Sequence, residues 1–369
     1  MTERLNQLLH DEADRLEIPP VAAVDVLGRG RVLRRRRRAG SFVLAAALVV
    51  LVGTGGVVAY DRLSRDSTPQ LSDAAAYEQH GVWMADGALH IGNNSVEIEG
   101  AINAVYYTAA GVVVRTGETG DDEIDPQDGH LSLVRPDGSV SPLGPRLDDV
   151  EPGTSPDSPL IAFARPVGSD FEAVVWNVET DELVAAVPFD RPRVTWHGWA
   201  APPVSLSGDH VYVSAERHVL AVNFRTGASK PLAGSPGGRW EVIAGGNWAD
   251  ERSGEVVVRT LEGQELLTVP VETNWAETAL SPDGRFVVVA PESDGSAGDA
   301  TPSLHDVTTG ASRELPGDQG PLGWTPDGHA LQLSGDKVLS CTAIEQECST
   351  VAEVDDPKSV RLADAYYGS

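Results

Sequence analysis

From about residue 80 onward the chain repeats: an alternating apolar strand, a polar turn, a second strand and a gap recur about every 42 residues. The turns fall at Asn94, Gly138, Asp181, Gly227, Gly263, Gly310 and Gln346, at intervals of 44, 43, 46, 36, 47 and 36 residues. A second kind of turn lies between them, in Ser281-Pro282-Asp283-Gly284-Arg285 and Thr325-Pro326-Asp327-Gly328-His329, with weaker versions at 155–158 and 207–210. Proline presets φ for the second turn position, aspartate can bond its own downstream backbone, and glycine supplies positive φ, so each Pro-Asp-Gly reverses one strand into the next. Runs such as His210-Val211-Tyr212-Val213-Ser214 suit sheets packed face to face. Four short strands in each such repeat is the period of a propeller blade, and seven turns predict an all-β, seven-bladed β-propeller over residues 80–369. Residues 359–366 are expected to supply the inner strand of a blade whose other three strands come from 81–100, which closes the ring.

The stretch from Ser281 to Arg285 with its Val-rich strand, followed by Asp306-Val307-Thr308-Thr309-Gly310, resembles the WD40-like repeats of the TolB type found in bacterial propellers. The resemblance covers about residues 80–369. It implies the fold and not an activity, because propellers host binding modules and enzymes alike.

The amino-terminal part is of another kind. Arg34 to Arg38 stand in a row, and from Ser41 to Ala59 no residue is charged. Nineteen helical residues rise about 28 Å, enough for a hydrocarbon core of about 30 Å, and the arginines favour the cytoplasmic side. The expected order is a cytoplasmic tail (1–38) with an amphipathic helix, a transmembrane helix (39–60), a flexible tether (61–79) and an extracytoplasmic domain (80–369). A cleaved signal peptide is the rival reading, since Val57-Val58-Ala59 suits a signal peptidase, but its leader would be unusually long. No cysteine ends the apolar run, which argues against a lipoprotein anchor.

Charge divides at the same place. Residues 1–38 hold nine Arg against six Asp or Glu, leaving 19 basic and 49 acidic residues beyond, a net charge of −30. Such a surface repels nucleic acid and anionic lipid.

Cys341 and Cys348 fall in the segment placed outside the cytoplasm, where a hairpin between them would bring the sulfurs together as a disulfide. A redox or metal pair is the alternative, but the spacing is not C-x-x-C and no histidine is near. Asp121, Glu123 and Asp125 have the alternate spacing of a calcium loop. Pro126 stands where such a loop needs glycine and Ser132 where it needs glutamate, so a solvated acidic loop is the stronger reading and no metal or cofactor is assigned. Trp196, His197 and Trp199, with Trp240, Trp248 and Trp275 in later repeats, are expected either to pack blades together or to line a ligand surface.

No G-x-S-x-G, H-E-x-x-H or phosphate loop is present. The reading is therefore a membrane-anchored module that binds a protein, peptide or glycan without catalysis. A transmembrane regulator is the alternative, with the stripe Leu5, Leu8, Leu9 and Leu16 of residues 1–18 docking on a cytoplasmic partner. Tail, arginine run, anchor and outer domain together resemble membrane proteins of high-GC bacteria that partner extracytoplasmic-function sigma factors. His10 has no cysteine before position 341, so the zinc-binding subclass of those proteins is not matched. A propeller hydrolase or lyase is the third reading.

Overall fold

The computed structural model describes residues 71–363 except 86, 118–128, 148–149, 191–200, 215–217, 233–242, 253, 272–275, 292–300, 317–321 and 342–347. The tail, the apolar run and most of the tether lie outside the described residues. Among the described residues no helix is long and apolar enough to cross a membrane.

Seven four-stranded antiparallel sheets form the blades. Numbered along the chain and read from inner to outer strand, blade 2 is Ala101–Thr108, Gly111–Gly117, His130–Val134 and Val140–Arg146. Blade 3 is Gly153–Thr154, Leu160–Val167, Asp170–Asn177 and Glu182–Phe189, and blade 4 is Val204–Ser207, His210–Ser214, Val219–Asn223 and Ser229–Pro231. Blade 5 is Ile243–Ala244, Asn247–Arg252, Glu255–Thr260 and Glu265–Pro270. Blade 6 is Ala276–Leu280, Phe286–Pro291, Ser303–Asp306 and Ser312–Glu314, and blade 7 is Leu322–Trp324, Ala330–Ser334, Lys337–Cys341 and Ser349–Glu353. Blade 1 is composite: Val82–Ala85, Ala88–Ile91 and Asn94–Glu97 take their inner strand, Arg361–Leu362, from the other end of the chain. Leu362 pairs with Trp83 and Arg361 with Met84, the closure that the sequence predicts.

The repeated turns have one shared mechanism. In blades 3, 4 and 6 the last residue of the third strand, Asn177, Asn223 or Asp306, accepts two backbone N–H bonds from the turn through its side-chain oxygen, at 2.9 to 3.3 Å. The chain then passes through a left-handed residue, Asp181 (φ 54°), Gly227 (φ 75°) or Gly310 (φ 70°), and starts the outer strand. The inner Ser-Pro-Asp-Gly turn works differently: the buried Ser281 hydroxyl donates to Asp283 at 2.8 Å and accepts from the Phe286 N–H at 2.9 Å.

Blades pack through valine-rich faces. Val287 and Val289 of blade 6 meet Ala249, Val256 and Val258 of blade 5, while Phe286, Val288 and Leu304 on the other face meet Trp324, Ala330 and Cys341 of blade 7. Trp248 is fully buried and donates its indole N–H to the Thr260 carbonyl at 2.9 Å, so it serves blade packing.

One element departs from expectation. The last residues of the proposed tether form a helix, α1 (Asp73–His80), capped by the Ser72 hydroxyl. A polar, alanine-rich stretch reads as solvated chain until Tyr77 is considered. Its ring is buried against Tyr107, centroids 5.9 Å apart, and its hydroxyl lies 3.0 and 3.1 Å from the Thr108 and Gly111 carbonyls of blade 2.

Candidate functional face

Strands alternate in direction within each blade, so the propeller has two unlike faces. The turns between first and second and between third and fourth strands lie on one face. The connections between second and third strands, and the crossovers to the next blade, lie on the other.

The turn face carries α1, which touches three blades around the ring closure. Besides Tyr77 on blade 2, Glu78 O accepts from the Asp327 N–H of blade 7 at 3.3 Å, and the Asn93 amide of blade 1 donates to Leu71 O at 2.9 Å. Gly92 of blade 1 lies so close that a Cβ there would meet Tyr77 N at 2.7 Å. The chain therefore enters the propeller from the turn face.

The crossover face is the opposite one. The strand ends flanking 118–128, 191–200, 233–242 and 272–275 all open onto it. These segments hold Asp121, Glu123 and Asp125, then Trp196, His197 and Trp199, then Trp240, then Trp275, and all of these lie outside the described residues.

The described polar groups near this face serve to hold crossovers. Arg115, 2% exposed, donates to Val150 O at 2.9 Å and fixes the passage from blade 2 to blade 3. Tyr106 donates to the Glu151 carboxylate at 3.4 Å. Burial and then the Glu151 charge push the Tyr106 pKa well above the ordinary phenol value, with Arg115 opposing, so the hydroxyl stays protonated. Glu251 likewise accepts the Ala276 N–H at 2.8 Å, which anchors the start of blade 6.

Two arrangements escaped the sequence reading. Ser303 Oγ lies 2.8 Å from His305 Nε2, on alternate residues of one strand. Ser303 Oγ also lies 3.4 Å from Val289 O, and the direction of the shorter bond to His305 is set by the imidazole tautomer. The second is at the disulfide. Cys341 and Cys348 are bonded across the third and fourth strands of blade 7, with Cα atoms 4.3 Å apart, and Arg313 of blade 6 donates to Cys348 Sγ at 3.0 Å. Among the described residues no cluster of three or more His, Cys, Asp or Glu is placed to hold a metal ion.

No protein-family model matches the chain. No curated protein matches it either. Solved structures similar in fold include TolB from Acinetobacter baumannii, 16% identical over 66% of this chain and 60% of that one, with a TM-score of 0.40. PorZ, a surface component of the type-IX secretion system of Porphyromonas gingivalis, is 12% identical over 76% of this chain and 38% of its own, at 0.46. Kuenenia stuttgartiensis hydrazine synthase is 12% identical over 68% and 79%, at 0.42. These likenesses concern the propeller architecture alone.

Proposed function

We propose that this chain is a membrane-anchored, extracytoplasmic propeller that binds a protein, peptide or glycan on its crossover face without chemical turnover. The observation that carries the reading is the placement of α1. The helix covers part of the turn face around the ring closure, and the crossover face lies on the opposite side of the blades. The described strand ends that flank the segments holding Trp196, Trp199, Trp240 and Trp275 open onto that face, and large aromatics are the side chains that contribute most to recognition.

Two experiments test it. A cysteine introduced near residue 70 of the full chain should react with an impermeant reagent on whole cells, whereas one near residue 12 should not. Labelling at both positions removes the anchor from the reading. A photo-crosslinking residue at position 197 should capture a partner on whole cells, and one at position 262, in a turn of the opposite face, should not. Capture at 262 alone, or equally at both, overturns the assignment of the face.

A second reading is favoured by the same helix. Because α1 joins the ring closure to the chain leading from the tail, occupancy of the propeller could be transmitted inward, with residues 1–18 binding a sigma factor or another regulator. A pull-down from cytoplasm with a peptide of residues 1–18 separates the two readings.

A further inference from the structure

We propose that Cys341 and Cys348 form an exchange-competent disulfide, with Cys348 as the sulfur that meets an incoming thiol and a protein dithiol or disulfide as the co-reactant. The two sulfurs differ in burial and in the charge nearest to them. Cys341 ends the strand Lys337–Cys341, is 1% exposed, and sits among Phe286, Leu315 and Trp324 between blades 6 and 7. Cys348 lies just before the strand Ser349–Glu353 and packs against the edge of the same cluster, but is only partly buried. Arg313, from the outer strand of the neighbouring blade, brings a guanidinium nitrogen to 3.0 Å from Cys348 Sγ.

A cation beside a sulfur favours the thiolate, and apolar burial disfavours it, so the site has one accessible, acidified sulfur and one shielded, ordinary or less acidic one. That division of labour is what thiol–disulfide exchange needs. Holding Arg313 there has a cost, since burial lowers its pKa below the ordinary value.

The exchange balances as follows. A thiolate of the dithiol attacks Cys348 Sγ, the bond between the two cysteines breaks, and its electron pair goes to Cys341 Sγ, which takes a proton. The second thiolate of the dithiol then attacks its own sulfur in the mixed disulfide, and Cys348 leaves as a thiolate beside Arg313. Two electrons have passed to the propeller and the co-reactant has become a disulfide. In the reverse direction the Cys348 thiolate attacks a partner's disulfide and Cys341 releases the reduced product. No local motif could show this, because the cation lies 35 residues from Cys348 in sequence and in another blade.

The test uses the full chain in detergent micelles, reduced with dithiothreitol under native conditions. Alkylation by iodoacetamide is then followed separately at each cysteine by mass spectrometry. Cys348 should titrate at least about one pH unit below the ordinary thiol value of about 8.5, and at neutral pH should react at least about tenfold faster than Cys341. Arg313→Met should move the Cys348 titration up to the ordinary value, and Arg313→Lys should keep it low. The proposal is overturned if Cys348 titrates at or above the ordinary value, if the disulfide resists dithiothreitol until the chain unfolds, or if Arg313→Met leaves the titration unchanged. Should Arg313→Met fail to fold, the native titration and Arg313→Lys still decide.

Discussion

Asp250 and Arg259 show on what terms this valine-rich core accepts charge. Their side chains are 4% and 9% exposed, 3.3 Å apart, and the guanidinium also lies 5.5 Å over the Trp248 ring and 3.3 Å from Glu265. Asp250→Ala takes the buried carboxylate away and leaves the Arg259 guanidinium with the exposed Glu265 and the Trp248 ring, so it should cost about 3 kcal/mol in chemical denaturation, the low end for breaking a buried pair. Glu265, whose side chain is 57% exposed, should cost under about 1 kcal/mol when truncated. Equal losses at the two sites would show that the pair does not act as a buried unit. Protons give a second prediction at this scale. Burial lowers the pKa of His305 and of His329, and the His329 Nδ1 is buried without a hydrogen-bond partner, while Asp327 and the Gln79 backbone partly oppose the shift. The unfolded chain therefore takes up these protons first as the pH falls. Stability that is intact above the ordinary histidine range is lost on acidification through it and down to the lower folded values. Asp306 acts in a lower window. Burial raises its pKa, but the N–H groups of Thr309 and Thr308 and the Arg285 guanidinium outweigh this, so its contribution persists until the pH falls below the ordinary carboxylate range. Thermal melts across pH should show the two declines separately. His329→Gln should flatten the upper one and Asp306→Asn the lower; a single decline untouched by His329→Gln would contradict the assignment.

At the scale of elements, α1 is short, yet with Leu71 just before it the segment bonds blades 7, 1 and 2 through Glu78, Leu71 and Tyr77. Tyr77→Phe removes one hydroxyl from two buried carbonyls and should cost about 1 to 2 kcal/mol, whereas Tyr77→Ala also opens a cavity and should cost about 3 to 5 kcal/mol. Both changes should raise hydrogen exchange first at Val82–Ala85 and in the turn between Leu322–Trp324 and Ala330–Ser334. Exchange rising uniformly instead would mean that the helix stabilises no particular seam. The sequence hid this element for a physical reason. Asp73 to His80 carries no stripe of apolar residues, only Ala76 and Tyr77 are buried, and one aromatic leaves no periodicity to read. The blades were legible by contrast because their turns are locally determined. Asn223 or Asp306 binds the backbone two and three residues on, and Gly227 or Gly310 supplies the left-handed step, so composition at fixed offsets reports geometry. Asp181 fills the same place without glycine, which is why that repeat reads as degraded although its turn is the same.

The whole molecule is where the sequence said least about binding and most about closure. Arg115 and Val150, or Arg313 and Cys348, meet only because blades adjoin, and such pairs leave no trace in linear spacing. Ring closure does leave one, since the first blade lacks an inner strand and a spare apolar stretch remains at the other end of the chain. Val360, Leu362 and Ala363 are 4%, 2% and 0% exposed, and Leu362 packs with Trp83, Leu331 and Val338 across the seam of blades 7 and 1. Gly323 of blade 7 lies so near the last of them that a Cβ there would meet Ala363 O at 2.6 Å. Deleting residues 358–369 takes away this strand, leaves Trp83 and Met84 without their partners, and opens a ring whose blades are stabilised by their neighbours. Two large apolar side chains at about 1.5 to 3 kcal/mol each, with the exposed seam added, bring the loss to about 5 kcal/mol, which is comparable to the whole stability of many domains. The truncated chain should therefore melt far below the intact one or aggregate on extraction. Leu362→Ala, which keeps the strand and removes only its anchor, should fall between them at about 2 to 5 kcal/mol. If the truncated chain melts with the intact one, the ring does not depend on Arg361–Leu362, and the seam between blades 7 and 1 must be held by α1 alone.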